Sequence, residues 1–202
     1  LEISQADLAL VTNLLCAGLD DQAPAEWVVD EDGCRLVLDS PLVRLVQTFE
    51  RDESGALKVN FELLALAGHL QDNGRTKVAL RNAAVVYDYL NVAYCAAFAD
   101  FDIGGYAWAR LGAFPVDAEQ CRLDLLKRLE AMAKRGGCTV AQKRELENLV
   151  RETPSEVLMY DLARTVDNGQ ALGKILLLGY KWDAIWRVTD EAQRARVIGA
   201  LT

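Results

Sequence analysis

The fold turns on the stretch Leu57-Lys58-Val59-Asn60-Phe61-Glu62-Leu63-Leu64-Ala65-Leu66 and on the loop and helix that succeed it. These residues alternate apolar with polar, placing Val59, Phe61 and Leu63 on one face, and predict a β-strand. Residues 42–50 (LVRLVQTFE) are also rich in β-branched and apolar side chains, and Arg51-Asp52-Glu53-Ser54-Gly55 supplies turn chemistry, so the two runs read as a hairpin. Past Leu66 the pattern changes. Residues 67–74 (AGHLQDNG) form a polar loop. Residues 75–90 then take up a helical period in which Val78, Leu80, Ala84, Val85, Tyr87 and Tyr89 alternate with Lys77, Arg81, Asn82 and Asp88. Asn91 closes that helix, because asparagine tolerates the left-handed cap conformation. Residues 92–99 (VAYCAAFA) are a short apolar run bounded by polar residues, as a buried strand would be. Strand, loop, helix and strand in succession predict a right-handed βαβ unit with its two strands parallel.

Upstream, residues 4–19 carry Leu8, Val11, Leu14, Leu15 and Leu19 at helical spacing, with Ser4 three residues before Asp7 as the N-cap. Trp27-Val28-Val29 and residues 34–38 (CRLVL) add two strands, so residues 27–66 predict an antiparallel meander. Downstream, residues 104–112 (GGYAWARLG) are a short helix between glycines. Residues 118–135 form an amphipathic helix with Cys121, Leu125, Leu126, Leu129 and Met132 facing inward, stopped by Gly136-Gly137. Helices at 139–151 and 155–166 come next, then two apolar segments at 172–178 and 182–188 that fit either strand or helix, then a last helix at 190–201. The predicted class is α+β: a mixed, mostly antiparallel central sheet with flanking helices, plus a helical C-terminal extension. Residues 1–116 are expected to form the sheet-bearing core, and residues 117–202 an extension packed on it.

Composition narrows the function. The chain has 202 residues, 51% of them apolar or aromatic, enough for a well-buried core. Acidic residues outnumber basic ones 30 to 22, and the resulting charge of −8 repels phosphate backbones, which argues against a nucleic-acid partner and for a cationic one. No apolar run approaches the ~18–20 residues of a membrane span. Leu1-Glu2-Ile3-Ser4 has neither a basic n-region nor an apolar h-region, so no signal peptide is read. Cys16, Cys34, Cys95, Cys121 and Cys138 are widely spaced, without a C-x-x-C, and His69 is the single histidine. That set predicts no metal site and reduced thiols in a cytoplasmic compartment. No G-x-S-x-G, Walker loop or dinucleotide fingerprint occurs, which disfavours serine hydrolases, P-loop NTPases and Rossmann dehydrogenases.

The loop before the 75–90 helix carries the chemistry. A helix N-terminus leaves about four backbone N–H groups unpaired at its positive end, and so attracts anions. Gly74 lets a diphosphate approach the backbone, and Arg75 and Lys77 add local positive charge. The pattern Gln71-x-x-Gly74-x-Thr76, at the junction of a strand and a long helix, resembles the Q/R-x-x-G-x-G/A pyrophosphate loop of the GNAT N-acyltransferase superfamily. Residues 105–114 (GYAWARLGAF) are similar to the aromatic-x-x-x-Gly-Phe stretch of that family's last conserved helix. The resemblance covers about residues 4–116.

The resemblance implies an acyl-CoA, in the simplest case acetyl-CoA, as co-substrate. Its diphosphate would be held by Gln71, Asp72, Asn73, Gly74, Arg75 and Thr76. Its pantetheine and acyl carbonyl would meet backbone N–H groups near Leu64 and Leu66, where that strand splays from its parallel neighbour. Direct transfer to an amine is implied, with Glu62 as base and Tyr106 as acid, and with strand N–H groups stabilising the oxyanion. The acidic field favours a cationic acceptor: a polyamine, an aminoglycoside-like molecule or a protein lysine. Two positions depart from the pattern. Thr76 replaces a glycine or alanine, and Trp108 stands where many members carry a tyrosine acid. These motivate the alternative of a GNAT-like binding or structural module without catalysis, inside a larger phage-type or effector polypeptide. Asp100 with Asp102 and the lone His69 read as strand-end and loop polar groups. The C-terminal helices offer a surface for oligomerisation.

Overall fold

The computed structural model describes residues 4–17, 24–29, 31, 33–66, 75–99 and 104–201. Their elements run α1 (Gln5–Cys16), β1 (Ala25–Val29), β2 (Gly33–Asp39), β3 (Val43–Arg51), β4 (Leu57–Leu66), α2 (Arg75–Tyr89), β5 (Tyr94–Ala99), α3 (Gly104–Arg110), β6 (Phe114–Pro115), α4 (Ala118–Lys134), α5 (Val140–Glu152), α6 (Ser155–Arg164), α7 (Leu172–Leu177), β7 (Trp182–Arg187) and α8 (Glu191–Leu201). The class is α+β. Strand pairing is mixed and mostly antiparallel: β1/β2, β2/β3, β3/β4 and β6/β7 are antiparallel, and β4/β5 is parallel.

Two compact units are present, one of residues 1–97 with 187–202 and the other of residues 98–186. The units therefore do not divide at 116. In the second unit, α6 packs against α3 and β6, which precede residue 116, as well as against α5 and α7. In the first, α8 returns to α2, where Arg194 pairs with Asp88 at 2.8 Å. The stretch after 116 is also not wholly helical. Trp182, Ala184 and Trp186 are buried in alternation with exposed Asp183 and Arg187, the period of a strand, and β7 pairs with β6 through Phe114↔Ile185 and Pro115↔Ala184.

The first unit is built on the meander, with α1 and α2 on one face. Ser4 caps α1 by accepting from the Asp7 N–H at 3.1 Å. In β2, Cys34, Leu36 and Leu38 are buried while Arg35 and Asp39 are exposed. The buried face carries Trp27, Phe49 and, from α2, Tyr87, with ring centroids 5.8 and 6.4 Å apart in successive pairs. The Trp27 indole N–H donates to Thr12 Oγ1 of α1 at 2.8 Å. The buried stripe of α2 is Ala79, Ala83, Val86 and Tyr87; its two alanines bring the helix close to the sheet, while Val85 and Tyr89 face solvent. Asn91 adopts φ 54°, and the Val92 N–H returns to the Tyr87 carbonyl at 2.8 Å, ending α2 in a left-handed cap.

The second unit closes around α6, whose Leu158, Met159 and Leu162 are fully buried. On α4, Cys121, Leu125, Leu129 and Met132 are buried and Leu126 is half-buried. Arg122 donates to the Val150 and Thr153 carbonyls at the end of α5. Arg128 donates to the Leu176 and Leu178 carbonyls at the end of α7, at 3.0 and 2.7 Å. Both arginines satisfy orphan carbonyls and complement the negative ends of those helices. At Gly173 a Cβ would lie 1.5 Å from the Leu162 carbonyl oxygen, so glycine is what allows α7 to seat on α6.

Candidate functional site

Strand β4 is irregular where the candidate base lies. Val46 pairs with Leu63, but the next β3 residue, Gln47, pairs with Phe61. Glu62 is the extra residue of a β-bulge. Because neighbouring strand residues point to opposite faces, Leu63 lies on the face opposite Phe61. This corrects the expectation that Val59, Phe61 and Leu63 share a face: Leu64 takes the helix-facing position, packing with Val43, Ala79 and Val78. The bulge shifts the phase of β4 by one residue, so Glu62 and Leu63 both lie toward the face away from α1 and α2.

The parallel β4/β5 ladder runs through Lys58↔Tyr94, Val59↔Cys95, Asn60↔Ala96 and Phe61↔Ala97. Among the described pairs it ends there, one residue before Glu62. Leu64 and Leu66 continue to pair with Leu45 and Val43 on the β3 side. Beyond Phe61, then, the β5-facing edge of β4 has no described ladder partner.

Glu62 is held by two side chains on two other strands. Arg35 Nη2 of β2 donates to Glu62 Oε2 at 2.8 Å, and Thr48 Oγ1 of β3 donates to Glu62 Oε1 at 2.5 Å. Arg35 and Thr48 are direct cross-strand partners, so one rung of the sheet supplies both donors. The pair is open to solvent, with 49% of the Arg35 side chain and 37% of the Glu62 side chain exposed. Sequence reasoning missed Arg35 and Thr48, because their adjacency to Glu62 depends on the register and on the bulge.

Gln47 was also missed. It is fully buried on the helix-facing side, between Leu45 and Phe49, and among the described residues neither its Nε2 nor its Oε1 has a hydrogen-bond partner. The signal was present in the sequence: Val43, Leu45, Gln47 and Phe49 form an apolar alternation with one amide in it.

Of the other predicted residues, Arg75 and Thr76 open α2. Gln71, Asp72, Asn73 and Gly74 lie outside the described residues, as do His69, Asp100 and Asp102. Tyr106 sits on α3 in the second unit, half-buried, with Lys174 Nζ 5.8 Å from its ring centroid. Glu62, Leu64 and Leu66 are thus together on β4.

At the other end of β4 an open depression of about 510 Å³ is lined by Arg51, Asp52, Glu53, Ser54, Lys58 and Tyr94. Its polar groups engage one another. Lys58 pairs with Glu50 at 2.9 Å, a hydrogen bond that raises the Lys58 pKa. The Tyr94 hydroxyl donates to Asp52 at 3.3 Å, and burial first, then the Asp52 charge, raises its pKa. Asp52 accepts from the Ser54 hydroxyl and from the Ser54 and Ala56 N–H groups, which holds its carboxyl below the usual value. These contacts fasten the β3–β4 turn. All five cysteines are thiols outside any disulfide, and burial pushes the Cys95 thiol up to about 12, where it is inert as a nucleophile at neutral pH.

Among the described residues, no three His, Cys, Asp or Glu side chains gather as a metal-ligand group, and no helix is long and apolar enough to cross a membrane. Comparison with known proteins returns no matching family model, curated protein or solved structure.

Proposed function

We propose that this chain is an acyl-CoA-dependent N-acyltransferase, acetyl-CoA being the simplest donor, that acts by direct transfer on a cationic amine. The observation that carries this is the state of β4: among the described residues the parallel ladder to β5 stops at Phe61, and a bulge adjoins it at Glu62. A strand edge left without a ladder partner can accept the amide groups of a pantetheine arm as a short added strand. Its N–H groups near Leu64 and Leu66 would then stabilise the oxyanion formed when the amine nitrogen attacks the thioester carbonyl carbon. Collapse of that intermediate breaks the C–S bond, and the CoA thiolate takes a proton from solvent. Glu62, on the adjoining bulge, accepts the proton that the amine nitrogen loses. Helix α2, beginning at Arg75 beyond the β4 end, provides a positive terminus on the route of the diphosphate. Mostly buried thiols, none of them in a disulfide, fit a cytoplasmic protein.

A second reading is a binding module without turnover. It is favoured by the occupancy of both Glu62 oxygens by Arg35 and Thr48. Thermal-shift titration with acetyl-CoA and with CoA separates the two, together with thiol release measured over a panel of amines. Saturation to 100 times the dissociation constant should stabilise the fold by about 2.7 kcal/mol. A shift with turnover supports the transferase, a shift without turnover supports the module, and no shift with either ligand removes both.

A further inference from the structure

The ion pair at the bulge makes a prediction about how an acceptor is recognised. Glu62 is an inserted residue, so a regular β4 would not need it, and its exposed side chain projects from the sheet face opposite α1 and α2. Its two oxygens are divided between a cation, Arg35 at 2.8 Å, and a neutral hydroxyl, Thr48 at 2.5 Å. The hydroxyl costs the carboxylate no charge and fixes its direction. The guanidinium occupies the lobe that any other cation would use. Arg35 is itself half-exposed and sits on a flexible stem, so it can swing into solvent while Thr48 keeps the carboxylate in place. An exposed pair of this kind is weak, about 0–1 kcal/mol, and so is displaceable.

We propose that Arg35 is a built-in competitor for the cationic acceptor: a primary ammonium group binds Glu62 Oε2 by displacing the Arg35 guanidinium, with Thr48 as the positioning residue. This rests on the acceptor's being a cation, as the transferase reading has it.

The test is binding of spermidine to the full chain with no acyl-CoA present, followed through the carboxyl-carbon NMR resonance of Glu62 and by calorimetry. Its failure is therefore separate from failure to bind acetyl-CoA. Arg35→Gln should tighten spermidine binding by up to about five-fold, the equilibrium equivalent of an exposed pair. Arg44→Gln is the control: it removes the same charge from the same sheet, where Arg44 pairs with Asp39 at 3.1 Å, and should leave the affinity near wild type. Arg35→Lys, which keeps the cation, should also stay near wild type. Glu62→Gln should abolish the response, and Thr48→Val should weaken binding while leaving the Arg35→Gln gain intact. Equal tightening by Arg35→Gln and Arg44→Gln would reduce the effect to net charge and overturn the proposal. So would weaker or unchanged binding in Arg35→Gln.

Discussion

At the scale of single residues, Gln47 is the least economical choice in the first unit. A buried amide with both polar atoms unpartnered forfeits its hydration without return, at about 1–3 kcal/mol. Gln47→Met keeps the unbranched shape and removes the polar atoms, so urea denaturation should show a stability gain of about 1–3 kcal/mol with an unchanged m-value. A loss of stability instead would mean that the amide is satisfied in solution. Asp52 and Asp7 are among the carboxyls, with Asp124 and Glu130, whose lowered pKa values contribute to acid sensitivity. The Ser54 hydroxyl lowers the Asp52 pKa, and the Ser4 hydroxyl, then Tyr89, lowers that of Asp7. A depressed folded-state pKa stabilises the fold above the unfolded carboxylate's value, and that contribution is lost as pH falls through the folded one. Thermal midpoints should therefore fall on acidification below about pH 4, and Asp52→Asn should make that fall shallower. A decline of identical steepness in the variant would show that the turn contributes nothing to acid sensitivity. Ser4 and Asn91 were legible in the sequence because a cap is a local matter of one side chain and the nearest backbone, whereas the Thr139 capping box emerges only in the structure.

At the scale of elements, local pattern located the strands of the meander and the helix after it, while register stayed hidden. The run Phe61-Glu62-Leu63-Leu64-Ala65-Leu66 offers leucines in both phases of a period-two pattern, so the alternation cannot reveal where the extra residue lies. The structure resolves it by pairing Val46 with Leu63 and Leu45 with Leu64. Removing Glu62 leaves every other β3/β4 pair as it stands and converts the bulged ladder into a regular one. The deletion variant should therefore fold cooperatively, with a melting point close to wild type, although it loses the Arg35 and Thr48 contacts, each of which is worth little at an exposed site. It should also lose any amine acylation measured as thiol release. A variant that fails to fold would make the bulge a structural requirement of the sheet, whereas a folded variant with full turnover would remove Glu62 from the chemistry. Strand β6 was missed for a different reason: Phe114-Pro115 is too short to show a period, and its partner β7 begins only at Trp182, with four helices between them in the chain.

At the scale of the whole molecule, the division into units was illegible because it is not a division of the chain into halves. Residues 98–186 interrupt the first unit, which is completed by 187–202. What the sequence does carry at this scale is charge. With 30 acidic and 22 basic residues, the net of −8 sets a long-range field that acts oppositely on the two proposed substrates. A polyamine is attracted and a CoA thioester, itself a polyanion, is repelled. Screening shortens that field from about 30 Å at 0.01 M salt to about 8 Å at 0.15 M. Spermidine affinity should fall over this range, while acetyl-CoA affinity should hold or rise, so the two titrations give slopes of opposite sign against the logarithm of salt concentration. Parallel falling slopes would mean that a local cluster of positive charge governs the CoA site and outweighs the net field. A spermidine affinity insensitive to salt would mean that the acceptor is chosen by contacts other than charge, and the cationic class would have to be given up.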